Sequence, residues 1–189
     1  MTGTTAIGNV RRNRLRPLIW GMAACLLLLP AVAMQFENSG VNWTASDFIV
    51  MGALLAIACG LYELGAWLSG NGIYRAAFGI GVCTGFLTVW VNLAVGMLGD
   101  EGGVANLMFV VVLLVAASGA LVAKLQPLGM ARAMFATAIA QLAAAGVGLV
   151  MGFDTLEVSL TACFALPWLL SGGLFQKAAQ ETAASGETA

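Results

Sequence analysis

GIYRAAFGIGVCTGFLTVWVNLAVGMLGD, residues 72–100, decides the fold. One arginine, Arg75, stands near its start, and acid returns only at Asp100. Between them lies an uninterrupted apolar run with Gly, Thr and Asn as its only relief. About 20 largely apolar residues suffice to cross a bilayer as a helix. The run is continuous, without the alternation of a membrane barrel strand, so its backbone must satisfy itself within a helix.

Five further segments have the same character. The six run from about Pro17 to Met34, Phe48 to Leu68, Tyr74 to Leu98, Val104 to Ala123, Ala133 to Met151 and Val158 to Phe175. The 189-residue chain is 60% hydrophobic and 9% charged, with a mean hydropathy of +0.93. Soluble domains carry about 25% charged residues. So little charge leaves no way to shield the apolar surface from water, and lipid must be the solvent. The fold expected is all-α: a polytopic bundle of about six transmembrane helices. Residues 1–16 form a basic cytoplasmic N-terminus, 17–175 the bundle, and 176–189 a mobile cytoplasmic tail too polar to pack alone.

The eight basic residues are Arg11, Arg12, Arg14, Arg16, Arg75, Lys124, Arg132 and Lys177. With the N-terminus in the cytoplasm, all eight fall on the cytoplasmic side. The opposite loops hold Glu37, Asp47, Asp100, Glu101, Asp154 and Glu157 and no base. This is a positive-inside pattern, with Arg75 and Arg132 as topology anchors and both termini cytoplasmic. Trp20, Tyr62, Trp67 and Tyr74 fall near the inner interface and Trp43 near the outer one.

Gly72, Arg75, Ala76 and Phe78 recur as Gly129, Arg132, Ala133 and Phe135, 57 residues on. LRPL at 15–18 is echoed by LQPL at 125–128. The match suggests three repeated αα-hairpins, segments 1–2, 3–4 and 5–6. The first segment admits two readings. RRNRLRPLIW, an apolar run and AVA at 31–33 have the form of a secretory signal peptide. The reading adopted is an uncleaved helix.

Polar groups inside the spans are the candidate site. Glu63 is the only acid well inside one, three residues after Gly60 on the small-residue ridge Gly52, Ala56, Gly60. Ionisable groups in membrane helices are costly and often functional. Glu63 either reaches the inner interface or pairs with Arg75 across the Ser69–Gly72 turn, or else it serves as a proton or cation site. Asn92 shares a stripe with Gly81, Gly85 and Thr88, and Gln141 one with Thr137, Ala145 and Gly148. Such stripes mean hydrogen-bonded helix packing or, alternatively, a narrow polar path. Pro167 should kink the sixth segment, because it cannot donate to the carbonyl of Cys163.

Catalytic patterns are missing. There is no histidine, and the four cysteines stand singly in separate segments, as packing residues do. GMLGD at 96–100 lacks the spacing of the GxGD protease signature, and Asp100 with Glu101 reads as a solvated turn. No enzyme activity, cofactor or metal is expected, and the net charge of −1 gives no reason to expect nucleic acid.

VNWTASDF, WVNLAVGMLG, ANLMF, GMARAMFATA and LPWLLSGGLF together resemble a group of small bacterial inner-membrane proteins described only as uncharacterised. The resemblance covers most of residues 41–176. It implies a location in the bacterial inner (plasma) membrane and carries over no site residue. The function expected is that of a non-enzymatic accessory or partner-binding subunit, its partners being the bilayer and either another membrane protein or a second copy. The alternative is a small transporter or proton-coupled carrier using Glu63.

Overall fold

The computed structural model describes residues 16–36, 39–100 and 102–187. Among the described residues seven helices follow one another: α1 (Arg16–Ala33), α2 (Ala45–Leu68), α3 (Gly72–Ala94), α4 (Leu107–Val122), α5 (Pro127–Met151), α6 (Thr155–Cys163) and α7 (Ala165–Glu187). A 3-10 turn, Val104–Asn106, leads into α4. With α6 and α7 taken as one interrupted rod, six helices are long and apolar enough to cross a membrane. The all-α bundle read from the sequence is the fold observed.

The interruption falls where Pro167 requires it. The helix breaks at Phe164, whose N–H bonds back to the carbonyl of Thr161 at 3.3 Å. Pro167 then occupies the first turn of α7, where its missing N–H costs no helical bond.

Helix α5 is central. Met130, Ala133, Met134, Thr137, Ala138, Gln141, Ala144, Ala145 and Gly148 are all buried along it. Their spacing of three and four is one continuous helical face. Small residues let its neighbours approach. A Cβ on Gly119 of α4 would lie 2.7 Å from the Cβ of Ala133, and one on Gly172 of α7 would lie 2.8 Å from the ring of Phe135. Dispersion contacts of this closeness replace the hydrophobic drive that lipid does not supply. Tyr74, Phe78 and Phe175 join α3 to α7, with ring centroids 5.1–6.3 Å apart. Ser171 Oγ donates to the carbonyl of Ala77 at 2.8 Å across the same interface.

Of the three expected hairpins, α1–α2 and α5–α7 pack together, but the middle one does not. Helix α4 packs on α5 and scarcely touches α3, while α3 packs on α2 and α7. The matched residues also differ in role: Gly72 has open space beside it, whereas a Cβ on Gly129 would press on Ala123 at 2.7 Å. Helix α1 lies outermost, against α2, with Ala23 its one buried residue.

The tail segment is helical over its described residues. Residues 176–187 continue α7 as helix. Ala178 is fully buried, and Glu181 Oε2 accepts a 2.9 Å bond from Asn71 Nδ2. Asn71 itself caps α3, its Oδ1 accepting from the N–H groups of Ile73 and Tyr74. One side chain thus ties the α2–α3 turn to the end of the chain. The start of α1 and the end of α7 therefore lie at the same end of the bundle, the end carrying Arg16, Arg75, Lys124, Arg132 and Lys177.

Candidate functional site

The three candidate polar residues do not converge. Glu63 lies toward the basic end of α2, where its Oε1 sits 2.9 Å from Arg16 Nε and accepts from Trp20 Nε1. The partner is Arg16 and not Arg75. Helix α1 laid along α2 brings residues 16 and 20, one turn apart, alongside 63, a contact that local spacing does not reveal. Glu63 is about one-third exposed and Arg16 two-thirds, so the pair stands on the outer flank, away from the α3–α5–α7 core.

Asn92 bonds within its own helix, its Nδ2 donating to the carbonyl of Thr88 at 2.7 Å. The interhelical bond expected of it is not made; its Oδ1 is buried without a protein partner. Thr84 and Thr88 turn inward in the same way, bonding the carbonyls of Ile80 and Thr84. The polar stripe of α3 is thereby neutralised locally, which is the common fate of hydroxyls in helices.

Gln141 does cross between helices. It is fully buried, and its Nε2 donates to the carbonyl of Thr161 at 3.0 Å. That carbonyl sits at the α6–α7 break, where the regular ladder is interrupted. The amide thus adds a second donor to a carbonyl at the break, which already accepts from Phe164 N–H, and ties α5 to the break.

Thr161 then carries the connection outward. Its Oγ1 donates to the carbonyl of Met97 at 3.1 Å. Residues 95–103 are not a simple solvated turn, since Met97 and Leu98 are buried there. Gly96 and Gly99 have φ of +74° and +68°, and a Cβ on Gly96 would come within 2.5 Å of the carbonyl oxygen of Gly99. Only glycine makes this inward fold without strain. Asn106 holds it closed. Its Oδ1 accepts from Met97 N and Leu98 N at 3.0 and 3.1 Å, and its Nδ2 donates to the carbonyls of Leu98 and Asp100 at 3.2 and 2.8 Å. Glu157 accepts from Gly99 N at 3.0 Å. Asn106, Glu157 and Thr161 are the residues that sequence reading missed. An Asn just before an apolar helix was the available signal, since a buried amide is rarely without a backbone to satisfy.

Of the anchors, Arg75 is partly buried in the first turn of α3 and Arg132 is exposed in the second turn of α5. Asp100 is exposed, as expected of it. Glu101 lies outside the described residues. Among the described residues no three His, Cys, Asp or Glu side chains assemble into a metal-binding group.

A groove of about 490 Å³ runs between α2–α3 and α4. Its walls carry Ile57, Leu61, Phe86 and Leu121, and Trp168 and Phe175 lie at its floor. No protein-family model matches this chain, and no curated protein or solved structure matches it either.

Proposed function

We propose that this integral membrane protein is a non-enzymatic accessory subunit of the bacterial inner membrane, both termini cytoplasmic, that binds another membrane protein. The observation that carries the reading is the use made of its polar side chains. Asn106, Glu157, Thr161 and Gln141 are engaged in closing a loop and bridging a helix break, and Ser171 joins α3 to α7. These are structural bonds, and they leave a bundle whose exposed surface is largely apolar. Helix α1 presents Leu18, Met22, Leu28 and Leu29 outward, each more than half exposed, and rests chiefly on α2. A flank so lightly attached suits contact with a second membrane protein. The orientation follows from the one-sided distribution of base.

The carrier alternative draws less support. It needs Glu63 facing a path shared with Asn92 and Gln141, whereas Glu63 is neutralised by Arg16 on the outer flank.

Mild extraction of the tagged full chain from its native membrane, followed by intact-complex mass spectrometry, tests the proposal. A second protein at fixed stoichiometry is the expected result. A chain that emerges alone or only as a homo-oligomer rejects the hetero-subunit reading. Flux that is measurable in proteoliposomes and abolished by Glu63→Gln, with expression unchanged, would establish the carrier instead.

A further inference from the structure

The groove between α2–α3 and α4 carries small residues on both walls. Gly81 and Gly85 on α3 and Ala117 and Ala120 on α4 line it, with Met134 and Trp168 against Gly81 and Leu113 and Trp168 against Gly85. Its lining is almost wholly apolar. The rim residues Ile57 and Leu121 are 59% and 77% exposed, so the groove opens sideways. In a membrane-spanning bundle, sideways means into the hydrocarbon.

One end of the groove is different. Leu125 closes it at the basic end, held by a 2.7 Å bond from Tyr74 Oη to its carbonyl. Lys124 and Leu125 both adopt left-handed backbone, with φ of +47° and +57°. Side chains other than glycine take that conformation at a cost. Here it turns the chain sharply after α4 and leaves Lys124 exposed between the lining residues Leu121 and Leu125. On the opposite wall, Arg75 precedes Phe78 by three residues and Val82 by seven, which places it on the same helical stripe at the same end. An apolar slot open to the bilayer thus ends beside an exposed cation, Lys124, with the partly buried Arg75 of α3 toward the same end of the bundle.

We propose that this groove is a binding site for an anionic glycerophospholipid, with one acyl chain in the slot and the headgroup phosphate at Lys124 and Arg75. Basic pockets between membrane helices hold anionic headgroups in this way. The charge beside it favours a lipid: an exposed lysine at the end of an apolar slot suits an acyl chain that ends in an anionic headgroup. The site does not depend on the subunit reading.

Trp168, 2% exposed and lining the floor, provides the probe. The full-length protein is placed in nanodiscs of phosphatidylcholine, into which phosphatidylglycerol or phosphatidylcholine brominated at mid-chain is titrated. Quenching of Trp168 is read as the difference between wild type and Trp168→Phe. Brominated phosphatidylglycerol should quench at a mole fraction lower by about fivefold for each basic side chain engaged. Lys124→Gln should lower that preference about fivefold while leaving the protein folded, because Lys124 is exposed. Ala117→Phe, which fills the slot from an exposed position, should abolish quenching by both lipids. Equal quenching by the two lipids, unchanged by Lys124→Gln, would mean ordinary bilayer contact and would overturn the site. Absence of Trp168 quenching by either lipid would overturn it as well, and cross-linking from Ala117→Cys would then show whether a second copy covers the groove.

Discussion

Asn106 and Leu98 bond to each other twice: Leu98 N donates to Asn106 Oδ1 at 3.1 Å, and Asn106 Nδ2 donates to Leu98 O at 3.2 Å. The exchange draws Leu98 inward until it is fully buried, with its side chain against Gly148 of the central helix. The α3–α4 loop is therefore built into the bundle by one amide. Asn106→Ala leaves buried groups of Met97, Leu98 and Asp100 without this partner, each worth about 1–3 kcal/mol if nothing replaces it. The variant should lose about 2–3 kcal/mol, read by denaturant or thermal unfolding in mild detergent. Gln141→Leu should cost less, about 1 kcal/mol, because it removes one bond and also one unpartnered oxygen. The reverse ranking would show that the loop is not held by Asn106.

Gly119 and Gly60 make opposite predictions for the same substitution. Gly119→Ala sets a Cβ 2.7 Å from that of Ala133, with no flexible side chain to yield, so α4 and α5 must separate. Overpacking of this kind costs about 1–3 kcal/mol. Gly60→Ala meets nothing within 4 Å and should be neutral or slightly stabilising through helix propensity. Thermal melting of the two variants side by side checks the α4–α5 interface directly.

The Arg16–Glu63 pair lies 2.9 Å apart but is partly exposed, at the edge of the membrane. Exposed pairs of this kind contribute about 0–1 kcal/mol. A double-mutant cycle with Arg16→Gln and Glu63→Gln should give a coupling energy within that range. The visible effect should be on the position of α1: cross-linking between cysteines introduced at Leu27 and Gly52, which are in contact, should fall in either single variant. Efficient cross-linking in both would show that α1 is held by apolar contact alone.

How far the sequence could be read follows from the physics of lipid. A bilayer demands helices of a set length, so the six spans announce themselves, and Pro167 marks the break in the sixth. Tertiary choices are less visible. The tail QKAAQETAASGE reads as polar, yet Ser171, Phe175 and Ala178 continue one stripe at spacings of four and three, and all three are buried. Alanine's helix propensity and that stripe outweigh the polarity around them. Glu63 was legible as a costly residue; its partner, 47 residues away, was not. The pairing of α4 with α5 and the gap it leaves beside α3 depend on which small residues meet. Glycine and alanine are too common in this chain for their positions to declare it.

The orientation rests on charge and is open to direct labelling. A bundle with an even number of crossings brings α1 and the end of α7 to one side, and the bases cluster there while Asp47, Asp100, Asp154 and Glu157 lie at the other. In a background lacking Cys25, Cys59, Cys83 and Cys163, cysteine is introduced at Gly102 or Gly70. Both positions are exposed, and nothing lies within 4 Å of a Cβ at Gly102. Gly102→Cys should react with an impermeant maleimide on intact cells stripped of their outer membrane. Gly70→Cys, in the α2–α3 turn, should react only after the inner membrane is opened. Labelling of Gly70→Cys from outside, with Gly102→Cys protected, would invert the protein and place Lys124 and Arg75 at the outer leaflet. The lipid groove would then face outward with them, so the same experiment fixes which leaflet supplies its ligand.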